Sequence, residues 1–185
     1  MASSPALTTA LAKSEFQLGL TCFPVAARPR GRSAGEDVTR LLGRFESLRR
    51  LQHPNLCRYL DALIGRDHLI FVVTEHASRT LQDLLWASPQ GLGEEFAVSL
   101  ARQMVDALCY LNGQGLVHGH LEAEVVLLAE DGRLKLAGHG LVHLFWHGRL
   151  VDFPLRPRGA CLAPELAQSV GGWELPQSST DIWSL

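Results

Sequence analysis

The sequence between residues 94 and 137 constrains the fold more strongly than any other part of the chain. Glu94 to Gly113 predicts a long helix with one apolar face. That face is formed by Phe96, Leu100, Met104, Ala107, Leu108 and Leu111. The loop Leu116 to Leu128, LVHGHLEAEVVLL, follows and ends in an aliphatic run. This run and the apolar run Leu134 to Ala137 predict a β-hairpin, because they are joined by Glu130, Asp131 and Gly132.

The same stretch has the spacing of a protein-kinase catalytic loop. His118, Gly119 and His120 stand in the place of H-R-D. Ala163, Pro164 and Glu165 form A-P-E, and DIWS from Asp181 is similar to D-x-W-S. Upstream, the run RFESLRRL leads into His-Pro-Asn, as the αC helix does in kinases. The sequence therefore resembles a protein kinase. The resemblance implies an α+β, bilobal protein-kinase-like fold, truncated at the start of the central lower-lobe helix.

Three segments narrow the resemblance to one family. LGRFESLRRLQHPNLCRYLD, EHASRTLQDLL and VDFPL are similar to the TBC-domain-containing protein-kinase-like family, over residues 14–185. The resemblance implies an inactive kinase domain. It also implies a division into a disordered lead (1–13), an N-lobe (14–75) and a partial C-lobe (76–185). The later helices, the TBC domain and a rhodanese-like domain are expected to be absent from this sequence.

Four positions that carry kinase chemistry hold unsuitable residues in this frame. They are Arg44 at the αC glutamate, His120 at the catalytic Asp, Val125 at the metal-binding Asn, and Gly138 at the Asp of D-F-G. The only lysines, Lys13 and Lys135, do not fit the strand lysine that holds the phosphates, and no glycine-rich phosphate loop is visible. We therefore expect no catalytic residues, no bound cofactor and no metal.

A structural set of residues is kept: His118, Ala163, Pro164, Glu165 and Asp181. The resemblance implies that His118 packs beneath the D-F-G aromatic position, which is His139 here. It also implies that Asp181 binds the catalytic-loop backbone and that Glu165 pairs with an arginine from a later helix. His120 is expected where an exposed base would lie.

Shorter patterns predict the remaining elements. Glu15 to Phe23 alternates and predicts a strand. A helix is expected from about Ser33 to Asp37 through LLGRFESLRRL, with an apolar face of Leu42, Phe45, Leu48 and Leu51. Leu56 to Leu63 and His68 to Glu75 predict paired strands. An interlobe hinge is expected at Thr74, Glu75, His76 and Ala77. A short helix is expected over Thr80 to Trp86.

Composition excludes several functions. With 185 residues and a net charge of −2, the chain is not a typical nucleic-acid binder, and no apolar run reaches the length of a membrane span.

The widely spaced cysteines indicate reduced thiols in the cytoplasm. His139, His143 and His147 suggest a metal site by their spacing, although ordinary packing explains them better. Arg28, Arg30 and Arg32 form a basic loop, which is either solvated or directed at anionic lipid or an acidic partner.

The leading hypothesis is a pseudokinase that acts as a docking or scaffolding module. The resemblance implies proteins of Rab-type GTPase pathways as partners, through domains outside this sequence, and a cytoplasmic location at the periphery of trafficking membranes. The alternative is an unorthodox protein kinase or a non-catalytic ATP-binding module, with Arg44 or Lys135 recruited to phosphates. A third interpretation is a domain that only supports its neighbours.

Overall fold

The computed structural model describes residues 17–24, 34–65, 69–141, 163–165 and 177–185. These residues belong to two compact units, divided between Ala77 and Ser78, and the segment His53–Leu56 belongs to the second unit. The first unit contains β1 (Gln17–Pro24), α1 (Ala34–Arg49), β2 (Tyr59–Ile64) and β3 (Leu69–His76). The second contains β4 (Arg79–Thr80), α2 (Leu81–Ala87), α3 (Glu94–Gly113), β5 (Val126–Leu128), β6 (Leu134–Leu136) and α4 (Ser178–Ser184). Helices and small antiparallel sheets together confirm the expected α+β class.

The first unit is a three-stranded antiparallel sheet with α1 packed near its β2 strand. β3 lies in the centre and pairs with β1 on one side and β2 on the other. Helix α1 buries Leu41, Phe45 and Leu48, and the Phe45 ring meets Tyr59 edge-on at 5.6 Å between centroids. The predicted apolar face was partly wrong: Leu42 and Leu51 are only half-buried. The 3.6-residue period explains this, since Leu41, Phe45 and Leu48 align better than a strict three-residue step.

One expected boundary of the first unit's sheet was wrong. The strand expected from Leu56 begins at Tyr59, because Leu56 instead makes a parallel bridge with Leu136 of the second unit's sheet. Strand β3 includes Thr74 and Glu75, as the predicted strand does, and continues to His76, one residue before the two units divide after Ala77. The Glu75 N–H donates to the Arg58 carbonyl at 2.9 Å, and the buried Glu75 carboxylate accepts the Arg58 N–H at 3.2 Å. These bonds hold the end of β3 against the residue that precedes β2.

Helix α3 is the main element of the second unit and has the bounds that the sequence predicts. It buries Leu100, Met104, Ala107, Leu108 and Leu111. Phe96 is an exception to the predicted face: its side chain is 41% exposed, because periodicity identifies a face but not how far along the helix the packing extends. Among the described residues no helix is both long and apolar enough to cross a membrane.

The end of α3 is fixed by a Schellman motif. Gly115 has a φ of +70°, a conformation that glycine adopts without strain. The Leu116 N–H then bonds to the Leu111 carbonyl at 3.0 Å, and the Gly115 N–H bonds to the Asn112 carbonyl at 2.9 Å. The chain therefore turns sharply at Gly115 and enters the loop that starts with Leu116.

A small sheet with strand order β4–β5–β6 follows this loop. The predicted β5–β6 hairpin is present, and Gly132 in its turn has a φ of +80°. Helix α2 begins at a capping box, in which Thr80 Oγ1 accepts the Asp83 N–H and the Asp83 carboxylate accepts the Thr80 N–H. The helix predicted from Thr80 is therefore present, with Thr80 as its N-cap.

The segment His53–Leu56 is held in the second unit by a buried amide. Asn55 Nδ2 donates to Gln103 Oε1 and to the Leu134 carbonyl, both at 2.9 Å. The Asn55 carbonyl accepts the Leu136 N–H at 2.8 Å. Gln103 Oε1 also accepts the Leu134 N–H at 2.9 Å. Asn55 thereby links α3 to β6 and fixes the hairpin that follows the loop.

Replacing Asn55 with Ala should lower the free energy of unfolding by about 1–3 kcal/mol, because the buried Leu134 carbonyl loses its side-chain donor. Denaturant unfolding monitored by circular dichroism measures the change. The matched control is Asn112→Ala, an exposed amide on α3. Equal stabilities of the two variants would contradict the role given to Asn55.

Candidate functional site

The candidate site is the loop from His118 to Val125, between α3 and β5. Its backbone changes direction at Gly119, which has a φ of +78° and is buried. A residue with a side chain would be strained there, so the conformation favours glycine. The kinase frame places an arginine at this point, and the frame alone gives no reason for the glycine.

Asp181 on α4 anchors the loop. Its Oδ2 accepts the His118 N–H at 2.7 Å, and its Oδ1 accepts the Gly119 N–H at 2.9 Å. Burial raises the pKa of Asp181, and the two backbone N–H groups partly oppose this rise. This is the contact that the kinase resemblance implies. One short helix thus holds the backbone of a loop that lies more than sixty positions earlier in the sequence.

His118 lies beneath the loop with both ring nitrogens engaged. Its Nε2 donates to the Ala137 carbonyl at 3.0 Å, and its Nδ1 accepts the His120 N–H at 3.4 Å. These partners fit a neutral ring protonated on Nε2. Burial, together with the neighbouring His139 and His120, lowers the pKa of His118 to about 3, although the hydrogen bond to the Ala137 carbonyl opposes the change. His118 is therefore a neutral structural group.

His139 is buried as deeply as His118. Its Nδ1 lies 3.4 Å from the Leu136 carbonyl, and burial lowers its pKa to about 4. Gly138 and Gly140 on either side have φ angles of +76° and +70°. An imidazole in a sharply turned segment thus fills the core position that the sequence assigns to the D-F-G aromatic.

His120 is not the exposed base that the sequence predicts, because its side chain is only 13% exposed. Its Nε2 lies 3.6 Å from Glu122 Oε2, and the Glu122 side chain is 15% exposed. The kinase frame does not point to Glu122. The signal for it was a carboxylate two residues after a histidine in a turn, a spacing that brings the two side chains to one side of a loop.

The other positions singled out for kinase chemistry in the sequence hold residues without a side-chain oxygen. Val125 donates its N–H to the Glu122 carbonyl at 3.1 Å and accepts the Ala137 N–H at 2.9 Å, so its backbone closes the loop. Gly138 contributes only backbone, and its carbonyl accepts the Leu141 N–H at 3.3 Å. Lys135 lies on β6 opposite Leu127. Arg44 lies on α1 in the first unit, apart in the chain from the other three positions.

The A-P-E segment is described only at its three residues. Ala163 is fully buried, whereas Pro164 and Glu165 are exposed. Glu165 Oε1 accepts a hydrogen bond from Thr180 Oγ1 at 3.2 Å. Glu165 therefore contacts the residue next to Asp181, which joins the A-P-E segment to the loop anchor.

Several predicted features lie outside the described residues. These are His143 and His147 of the suggested metal site, Lys13, and the basic loop of Arg28, Arg30 and Arg32. Within the part of the chain that the structure describes, no group of three or more His, Cys, Asp or Glu side chains is arranged to hold a metal ion.

Comparison with known proteins agrees with this architecture. The family described as protein tyrosine and serine/threonine kinase matches residues 22–185. The chain belongs to the protein kinase family. It is 37% identical over 156 residues to the TBC domain-containing protein kinase-like protein of Mus musculus, covering 79% of this chain and 17% of that protein. The resemblance found in the sequence is thus confirmed.

Two further relatives give the range of similarity. The TBC domain-containing protein kinase-like protein of Gallus gallus is 30% identical over 189 residues, covering 92% of this chain and 21% of that protein. Serine/threonine-protein kinase 36 of Pongo abelii is 30% identical over 156 residues, covering 84% of this chain and 11% of that protein. The chain spans about a fifth of the length of the TBC domain-containing relatives.

The two buried histidines, His118 and His139, should lower the free energy of unfolding of this chain in mild acid. Their folded-state pKa values lie below the value of about 6.5 for the unfolded chain, so below pH 6.5 the unfolded state binds protons that the folded state does not. Stability should therefore fall from about pH 6.5 towards the folded-state values. At pH 5 the loss should be about 2 kcal/mol per histidine, and Asp181, with its raised pKa, opposes the loss at lower pH.

Denaturant unfolding at pH 7 and at pH 5 measures this loss. His139→Phe keeps an aromatic ring without a titratable group, so its loss between the two pH values should be roughly half that of the unmodified chain. A pH-independent stability, or an unchanged pH dependence in His139→Phe, would contradict the assignment.

Removing the Asp181 carboxylate should also lower the free energy of unfolding. Asp181→Ala leaves the His118 and Gly119 N–H groups buried without an acceptor, so the free energy of unfolding should fall by about 3 kcal/mol. Hydrogen exchange should speed up at these two amides. Ser179→Ala, on the exposed side of α4, is the control and should leave both quantities unchanged. Slow exchange of both amides in Asp181→Ala would show that another group holds the loop.

Proposed function

We propose that this chain is a catalytically inactive protein-kinase-like domain, a pseudokinase, that serves as a docking or scaffolding module. One observation carries the proposal: Gly138, at the Asp position of D-F-G, has no side chain and has a φ of +76°. The main metal ligand of a kinase has no counterpart at that point.

The proposed loss of metal binding rests on the ligands that Mg²⁺ requires. Kinases hold Mg²⁺ through the D-F-G Asp and the catalytic-loop Asn, because this cation prefers oxygen ligands in near-octahedral geometry. Here those two positions are Gly138 and Val125. Glu122 does supply a carboxylate to the loop, but it lies against His120. Phosphoryl transfer depends on charge neutralisation by metal, so we expect the reaction to be lost.

The proposed loss of a catalytic base rests on the surroundings of His120. A base must reach the substrate hydroxyl, and His120 is mostly shielded and faces Glu122. Without a metal or phosphate site beside it, proton transfer by His120 has no substrate to act on. The pair is better explained as a contact that shapes the loop.

The proposed docking role rests on hydrogen bonds that hold the loop in place. The Asp181 bonds, the buried His118 and the Asn55 network preserve the loop and the hairpin behind it. A domain that keeps its shape without its chemistry is suited to presenting a surface. Docking of other proteins is therefore the function that fits best.

The proposed protein partners are inferred from the TBC domain-containing relatives. Their names state a TBC domain, and the family resemblance implies proteins of Rab-type GTPase pathways as partners. We propose that the domain serves a TBC protein that regulates Rab-type GTPases, in the cytoplasm and at the periphery of trafficking membranes. The TBC domain itself would make the GTPase contact.

A thermal-shift titration with ATP, with and without Mg²⁺, tests the inactive site. We expect no rise in melting temperature at millimolar nucleotide, because neither the metal nor the phosphates have an anchor. A Mg²⁺-dependent rise would instead support the alternative of an unorthodox kinase or ATP-binding module. If the Glu122 carboxylate held the metal, the Mg²⁺-dependent rise would disappear in the Glu122→Gln variant.

The docking role is tested separately in the longer protein. Deleting the domain should reduce the recovery of bound partners. Unchanged recovery would favour the third interpretation, in which the domain only supports its neighbours.

A further inference from the structure

Helix α2 carries an unusually exposed apolar end. None of its seven residues is buried, and at its C-terminal turn Trp86 is 73% exposed and Leu85 is 40% exposed. A single exposed leucine would need no explanation. A largely exposed tryptophan beside an exposed leucine calls for an explanation. Tryptophan is one of the side chains enriched among the residues that contribute most of the binding energy at protein interfaces.

The helix that presents Trp86 is held in place at its start. The Thr80–Asp83 capping box closes its first turn, and the Gln82 N–H donates to the Ala123 carbonyl at 3.2 Å. The preceding strand, β4, pairs with β5. Trp86 therefore projects from a fixed backbone, so little conformational entropy of the helix would be lost on binding.

Two carboxylates belong to the part of the second unit that contains α2. Asp83 lies three residues before Trp86 and so shares its side of the helix, and hydrogen bonds from Thr80 lower the pKa of Asp83. Glu124 is exposed and follows Ala123, which is bonded to α2. Arg79 near Asp83 offsets part of this charge. Over the described residues of the second unit, carboxylate side chains outnumber basic ones by ten to four.

We propose that Asp83, Leu85, Trp86 and Glu124, the α2 patch, dock a protein segment that presents arginine next to aliphatic side chains. An arginine guanidinium can lie over the Trp86 ring while carboxylates neutralise its charge, and an aliphatic neighbour can cover Leu85. Anionic lipid and nucleic acid would be repelled by the same carboxylates. The inference rests on the proposed docking function and names the chemistry of the partner.

The test uses the purified chain and a synthetic peptide in which arginine and leucine alternate, with a glutamate-for-arginine peptide as its counterpart. Calorimetric titration should show binding of the arginine peptide only. Trp86→Ala should weaken binding at least about tenfold. Trp183→Ala removes another exposed tryptophan, 58% exposed on α4 of the same unit, and should leave the affinity unchanged. Glu124→Lys should weaken binding severalfold, and Glu130→Lys should have a smaller effect.

Three results would overturn the inference. One is the absence of binding by the unmodified chain. Another is salt-dependent binding that Trp86→Ala leaves intact, which would show unspecific attraction between opposite charges. The third is an equal loss in Trp86→Ala and Trp183→Ala. Circular dichroism of each variant shows that the fold is kept. Nucleotide binding is measured independently, so a failure of the α2 patch is distinguishable from a failure of the pseudokinase proposal.

Discussion

The two hydrogen bonds from the His118 and Gly119 backbone to Asp181 are the contact on which the candidate site depends. A buried carboxylate is costly unless it is satisfied, and here two N–H groups satisfy it. The loop in turn gains a fixed backbone at a glycine of positive φ. The Asp181 carboxylate therefore stabilises the loop backbone, and the two N–H groups stabilise the buried carboxylate. Neither interaction requires a catalytic side chain.

Neutral imidazoles complete the support beneath the loop. His118 bonds to the Ala137 carbonyl, and His139 faces the Leu136 carbonyl at the end of β6. The hairpin is fixed in turn by Asn55 and Gln103. Loop, hairpin and α3 thus form one hydrogen-bonded system in the second unit. That system holds the loop that contains His120 and Val125 and the turn at Gly138, the positions at which we propose that kinase chemistry is lost.

The sequence predicts the regular parts of this fold well. Helix α3 and the β5–β6 hairpin have clear apolar periods and turn residues, so the bounds of α3 match and each hairpin strand differs from its prediction by one residue. A boundary set by a tertiary contact is missed: Leu56 leaves the expected strand for its bridge to Leu136. At the site, the frame locates His118 and Asp181. The His120–Glu122 contact was missed, because the kinase frame assigns no role to the position of Glu122.

Transfer of radiolabelled γ-phosphate from ATP to a generic protein substrate, with Mg²⁺ or Mn²⁺ present, is the most direct measurement. The account predicts no transfer above the level of the His120→Ala variant. Label that appears with the unmodified chain and disappears with His120→Ala would contradict the claim that the kinase frame is kept here without its chemistry.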